Sequence, residues 1–169
     1  MLIRRLVASD AAVFQALRLA ALRDSPSAFS TTYESERDTP LATVESNLAQ
    51  RNLFGAFDGA ELAGMLAVGR ENSPKLRHKS TIRAMYVAPA HRGKGVARRL
   101  VTHALAIAAS MDGVRQVTLD VTAGNAPALH LYESMGFRTY GCEPSALLVD
   151  GVFYDTVLMV RELEPASGR

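Results

Sequence analysis

The stretch Met85-Tyr86-Val87-Ala88-Pro89-Ala90-His91-Arg92-Gly93-Lys94-Gly95-Val96-Ala97 constrains this chain more than any other. A strand-like run exits at Pro89, two glycines follow one residue apart, and Val96, Leu100, Ala104, Ile107 and Met111 then fall on one face of a long helix. A helix start exposes N–H groups that have no partner within the helix, and the helix dipole adds partial positive charge there. Glycines admit positive φ and let the backbone approach a bulky anion. The combination predicts a site for a phosphate or pyrophosphate, with Arg92, Lys94, Arg98 and Arg99 adding full charges nearby.

The elements around this stretch read as an α+β-type domain. Leu2 to Val7 is a first strand, with Ser9 and Asp10 as caps of a helix over 12–22 that Ser25-Pro26-Ser27 ends. Residues 28–39 are polar and carry no assignment. Thr39 is placed as the cap of a helix from Leu41 to Arg51. Strands follow over Asn52–Phe57 and Leu62–Arg70, joined at Asp58-Gly59, and over Ser80–Val87 and Gln116–Val121. A helix from Asn125 to Met135 ends on Gly136 as a left-handed cap. Phe137–Cys142 and Val152–Arg161 are the last strands, with Asp150-Gly151 as the turn before the second. A single domain over 1–163 with a flexible tail over 164–169 is the expected organisation.

Composition sets the outer limits. With 169 residues, 48% apolar and 21% charged, the chain supports a sizeable core. A net charge of +2 is too small to indicate nucleic acid or a membrane surface as partner. A single cysteine, Cys142, forbids an internal disulfide and points to a cytoplasmic setting. Met1 to Asp10 lacks the apolar run of a signal peptide, and Arg98, Arg99 and His103 interrupt the alanine-rich stretch, so no membrane span is expected. His78, His91, His103 and His130 have no metal-binding spacing, and His91 and His103 are expected on exposed faces. Cys142 is expected to be a small buried apolar residue.

Three nucleotide loops compete for the glycine pair. The nucleoside-triphosphate pattern G-x-x-x-x-G-K-[ST] fails, because Gly95 follows Lys94 and no spaced glycine precedes it. The dinucleotide pattern G-x-G-x-x-G meets Arg98 where its third glycine belongs. The pattern [QR]-x-x-G-x-[GA] is met by Arg92, Gly95 and Ala97. A second group lies downstream: Asn125, Ala128, Tyr132, Gly136 and Phe137, with Asn125 as N-cap and Ala128 and Tyr132 sharing a helix face.

These two motifs, in this order and context, resemble the GNAT superfamily of N-acetyltransferases, over Leu2 to about Leu163. The resemblance implies a mixed, mainly antiparallel twisted sheet with helices on both faces and a splayed parallel strand pair. It implies acetyl-CoA as donor, coenzyme A as product, and a small-molecule or peptide amine as acceptor. Arg92, Gly93, Lys94, Gly95, Val96, Ala97 and Arg98 would hold the pyrophosphate, and Asn125 with Ala128 the pantetheine arm. Backbone N–H groups of Met85, Tyr86 and Val87 would bind the thioester oxygen, and Tyr132 would protonate the departing thiolate. Homodimers are common in the family, so a homodimer is the expectation by analogy.

One departure matters. Many family members place a carboxylate in the strand corresponding to Ser80–Val87, and this strand has none. An alkylamine with a pKa of about 10 needs a base before it can attack. Tyr33, Glu34 and Glu36, and Tyr154 with Asp155, lie in segments that the resemblance puts on the acceptor side. Arg83 stands as a partner for an acceptor carboxylate. The missing carboxylate leaves two further readings open: a non-catalytic acyl-CoA-binding sensor, and an acyltransferase with a non-amine acceptor.

Overall fold

A computed structural model describes residues 1–163. The tail expected over 164–169 lies outside the described residues. The strands are β1 (Leu2–Arg5), β2 (Leu53–Asp58), β3 (Glu61–Arg70), β4 (Lys79–Val87), β5 (Gln116–Thr122), β6 (Arg138–Val149) and β7 (Val152–Glu162). The helices are α1 (Ala11–Asp24), α2 (Tyr33–Glu36), α3 (Leu41–Gln50), α4 (Val96–Ser110) and α5 (Ala126–Ser134). One sheet runs in the order β1-β2-β3-β4-β5-β7-β6. It is mostly antiparallel, with β4 and β5 as its parallel pair. That parallel ladder joins Lys79–Thr81 to Gln116–Thr118 and goes no further among the described residues.

The chain groups into two compact units, each with its own packing. The first comprises Met1–Val68 and Ala84–Ala104. Its core is built from Leu6, Leu17, Ala21, Val44, Leu48, Leu53, Phe57, Met65 and Tyr86, where α1 and α3 cover one face of the sheet. The start of α4 covers the other face: the ring of His103 meets Phe54 edge-on at 4.7 Å. A Cβ at Gly64 would stand 2.9 Å from the Tyr86 carbonyl oxygen and 3.1 Å from Leu100, so this close approach requires glycine. The second unit comprises Gly69–Arg83 and, among the described residues, Leu105–Leu163. It is centred on the β5–β7–β6 ladder, with Val117, Leu119 and Met159 buried.

The caps differ from the expected ones. Asp10 occupies the N-cap position of α1 but does not cap with its side chain. Its carboxylate is taken by the Arg4 guanidinium, at 2.7 and 2.8 Å, and by the Val7 N–H at 2.9 Å. Pro40, not Thr39, precedes α3, and the Thr39 carbonyl accepts from Gln15 instead. Gly136, at φ 83°, does close α5: its N–H bonds to the Glu133 carbonyl and the Phe137 N–H to that of Tyr132, the Schellman arrangement. On α4, Val101, Leu105 and Ala108 are buried beside Val96, Leu100 and Ala104, whereas Ile107 is only half-buried and Met111 lies past the helix end. The strand β6 runs on past Cys142 to Val149, through an irregularity between Glu143 and Leu147 where Ser145 takes φ 50°. Cys142 is exposed, not buried, because β6 is the last strand of the sheet.

The Arg4 ion pair, stronger than its hydrogen bonds from Val7, holds Asp10 below its ordinary value of 3.8. A carboxylate lowered on folding stabilises the fold above its unfolded value and loses that contribution as pH falls through its folded one. Asp10→Asn is expected to cost about 1 kcal/mol at neutral pH, Arg4 being partly solvated. Urea titration should show the difference from wild type shrinking below pH 3.8. A constant difference down to pH 2 would contradict the assignment.

Candidate active site

The exit from β4 is held at several points. The Ala88 N–H bonds to the Ala63 carbonyl at 2.9 Å, and the Val87 carbonyl accepts from Arg92 Nε at 3.0 Å. The peptide joining these residues therefore has both its polar groups engaged. Arg92 also donates through Nη2 to Asp24, the last residue of α1, and its guanidinium lies 5.5 Å from the centre of the Tyr86 ring. Tyr86 Oη donates to the same Asp24 oxygen at 3.1 Å. Arg92 is the main reason that the Asp24 carboxyl sits below the usual range, and burial is the main reason that the Tyr86 phenol is pushed up.

Beyond Arg92 the glycine turn has the predicted form. Gly93 and Gly95 take φ 72° and 75°, and no atom lies within 4 Å of where a Cβ on either would stand. The space before them is open. The Arg99 N–H bonds back to the Gly95 carbonyl at 3.1 Å. The amides from Gly93 to Ala97 precede that bond, where a helix has no carbonyls to offer them. Lys94, Arg98 and Arg99 are exposed, and Val96 is buried under them. The residues present thus fit a pyrophosphate, with the side chain of Arg92 excepted, since it is spent on Asp24 and Val87.

His91 and His103 depart from expectation. His91 is buried, with Nε2 at 3.1 Å from Glu61 and Nδ1 at 3.8 Å from Asp58, because the chain leaving Pro89 passes under the β2–β3 hairpin. His103 is partly buried because its ring packs on Phe54.

Within β4, Ala84 takes φ 54°, a left-handed conformation costing about 1–2 kcal/mol for a residue with a side chain. Met85, Tyr86 and Val87 follow directly, so the backbone expected to hold an oxygen lies just past a break in the regular pleat. Arg83 is exposed and pairs with Glu71 at 3.4 Å. Glu71 also accepts from Thr81 Oγ1 at 3.1 Å, and Thr81 meets Thr118 at 3.1 Å.

In the second unit, Asn125 Oδ1 accepts from the Ala128 N–H at 3.2 Å and so caps α5. Its two amide N–H groups have no partner among the described residues. Ala128 is half-buried. Tyr132 is buried, its ring edge-on to Phe137 at 5.7 Å. Burial first, and the charge of Asp120 second, push its phenol far above the ordinary value of 10.0. Asp120 is exposed on β5, on the face it shares with Thr118 and Thr122.

The other carboxylates are engaged or distant in kind. Arg18 grips Glu36 at 2.8 and 2.9 Å and holds it below the usual range, helped by Thr31 at 2.6 Å. Asp155 accepts from the Ser145 N–H at 2.8 Å and so supports the irregularity in β6. Glu34 is exposed on the short α2, beside Tyr33, whose ring lies 3.8 Å under the Arg23 guanidinium. Tyr154 is half-buried on β7, paired with Leu147. Asp24 and Asp120 were not among the residues singled out from sequence. No local pattern marks Asp24, whose partners lie 62 and 68 residues on. Asp120 was within reach, since strand alternation puts Thr118, Asp120 and Thr122 on the polar side of a strand whose other side is Val117, Leu119 and Val121.

A mixed sheet whose fourth strand turns through paired left-handed glycines into a long helix, beside a parallel neighbour, defines a fold of the GNAT acetyltransferase type. A model of the Acetyltransferase (GNAT) family matches residues 16–137, and the chain belongs to that family. It is 36% identical to YwnH of Bacillus subtilis over 136 residues, covering 78% of this chain and 83% of that one. It is 41% identical over 83 residues to the streptothricin acetyltransferase of Streptomyces lavendulae, covering 49% of this chain and 42% of that protein. The match thus spans less than half the length of that relative. The structure of yncA from Salmonella typhimurium with its cofactor acetyl-CoA superposes with a TM-score of 0.80 at 21% identity, covering 100% of this chain and 97% of that one. At that identity the likeness concerns the fold. No described helix is long and apolar enough to cross a membrane.

The left-handed glycine separates conformational cost from crowding. Gly95→Ala is expected to lower stability by about 1–2 kcal/mol, since its Cβ meets nothing yet its φ is unfavourable. Gly124→Ala, equally open and without positive φ, is expected to change stability by less than about 0.5 kcal/mol. Chemical denaturation of both variants checks this, and equal effects would contradict it.

Proposed function

We propose that the chain is an acetyl-CoA-dependent N-acetyltransferase acting on an amine of a small molecule or peptide by direct attack in a ternary complex. The observation that carries the reading is the paired left-handed glycines at the start of α4, with open space before them and the strand exit pinned behind them. The amides of Gly93 to Ala97 hold the pyrophosphate, with charge from Lys94 and Arg98. Asn125 donates to the pantetheine arm through the N–H groups that its capping role leaves over, and Ala128 keeps that stretch of helix low. On this reading, N–H groups of Met85, Tyr86 and Val87 bind the thioester oxygen.

Acetyl-CoA supplies an activated acetyl group when bound. The C–N bond to the amine forms, the C–S bond breaks, and its electron pair leaves on sulfur. Two protons must then move: one off the new ammonium-like nitrogen and one onto sulfur. Asp120 takes the first, directly or through a water, and Tyr132 supplies the second. The two roles support each other. While Asp120 is charged it helps keep the Tyr132 phenol protonated. Solvent exchange resets both groups.

Support for an enzyme over a bare acyl-CoA-binding module comes from Asp120, an exposed carboxylate with no hydrogen-bond partner among the described residues, whose charge adds to burial in raising the Tyr132 phenol. The named acetyltransferase relatives are consistent with this reading, as are spermidine N(1)-acetyltransferase of Vibrio cholerae and the N-alpha-acetyltransferase RimI of Mycobacterium tuberculosis. Substrates among these relatives differ, so the acceptor here is proposed only as a primary or secondary amine.

Titration calorimetry with acetyl-CoA should show micromolar binding, and thiol release across a panel of amines should identify an acceptor. Binding without turnover on any amine or peptide would leave the binding module as the better account. Tyr132→Phe is expected to lower kcat by about 10²-fold or more with little change in donor affinity. Asp120→Asn is expected to lower kcat similarly and to lower the Tyr132 titration midpoint seen by tyrosinate absorbance, since the Asp120 charge contributes to raising that phenol. An unmoved midpoint would separate the two residues.

A further inference from the structure

Asp24 ends α1 and is absent from every motif of the site, yet it gathers three donors. Its Oδ2 accepts from Tyr86 Oη at 3.1 Å, from Ser25 Oγ at 3.0 Å and from Arg92 Nη2. Arg92 in turn holds the Val87 carbonyl at 3.0 Å, while the Ala88 N–H on the same peptide is held by Ala63. The carboxylate therefore reaches the glycine turn through one side chain and one peptide. Charge alone would make it harmful there, since a carboxylate near a phosphate site repels the ligand and spends the positive charge of Arg92. Order favours it. A free arginine side chain carries considerable rotamer entropy, and a side chain already fixed by Asp24 does not lose that freedom on binding.

On the reading that this turn holds the pyrophosphate of acetyl-CoA, we infer that Asp24 is a positioning residue for the donor: it fixes Arg92, and through Arg92 the strand-to-turn junction, so that the amides from Gly93 to Ala97 are ordered before the ligand arrives. Arg92 then acts as a strut for the turn, and the ligand charge is met by backbone amides and the neighbouring basic side chains. The effect falls on donor affinity, because neither Asp24 nor Arg92 touches the reacting atoms.

Calorimetry with coenzyme A, which binds without turnover, tests this on the full chain. Asp24→Asn is expected to raise Kd by about tenfold while kcat at saturating acetyl-CoA stays within about twofold, the pattern of lost pre-organisation. Arg92→Lys keeps the charge but cannot bridge Asp24 and Val87, and is expected to weaken binding to the same degree. The double variant should be no weaker than either single one, since both break the same link. Tighter binding by Asp24→Asn would mean that charge outweighs order and would overturn the inference, as would unchanged affinity or additive losses. Should Asp24→Asn not fold, Arg92→Lys carries the test: unchanged affinity there overturns it. Wild-type protein that does not bind coenzyme A would instead overturn the acetyltransferase reading itself.

Discussion

The peptide between Val87 and Ala88 is the point on which the rest of the donor side depends. It must end a strand, turn the chain at Pro89 and deliver a glycine pair to the start of a helix within a few residues. A peptide in that position could adopt many orientations. Here its N–H is committed to Ala63 and its C=O to Arg92, so only one remains. Gly93 and Gly95 then turn the chain through left-handed conformations with open space where side chains would stand, and buried Val96, Leu100 and Ala104 anchor the helix that follows. Binding a pyrophosphate through neutral amides demands this rigidity, because each amide contributes only when its N–H already points at the ligand.

The proton side rests on a different economy. Carboxylates in this chain divide into those consumed by the fold and those that remain available. Asp10 is bound by Arg4 and Val7, Glu36 by Arg18 and Thr31, Asp155 by the Ser145 amide, and Asp24 by Arg92 and Tyr86. Three of these, Asp10, Glu36 and Asp24, are pushed further into their charged form by their partners, which makes them poor proton acceptors. Asp120 stands apart: it is exposed, and it acts electrostatically on a buried phenol. The absence of a carboxylate from β4 thus does not leave the chain without a base candidate; a candidate sits on the next strand of the sheet.

Local patterns carried most of the architecture. Alternating and continuous apolar runs marked all seven strands, and the glycine turn and Schellman glycine were read at their observed positions. The places where reading failed share a cause. Helix α2 is only four residues long, too short for a periodic pattern, and is held by Thr32 and Ser35 capping each other. The strand β6 extends past a proline and a left-handed serine that look like its end, because the Asp155 carboxylate on β7 supports the irregularity from across the ladder. The two histidines and Cys142 were misplaced for a related reason. Their burial depends on which other element lies over them, and composition near each residue carries no trace of that.

The sequence by itself determined the order of elements, the family resemblance and the conformation of the glycine turn, because each follows from residues within one turn or one strand of each other. Left-handed backbone, helix capping and strand alternation are short-range physics. Tertiary structure alone decided which charged groups are spent and which are left. Arg92 reads as a phosphate ligand until Asp24, 68 residues earlier in the chain, is found holding it. Asp120 reads as a solvated strand residue until Tyr132 is found to feel its charge. Electrostatic roles depend on distances through space and on burial, and a chain acquires both only when it folds.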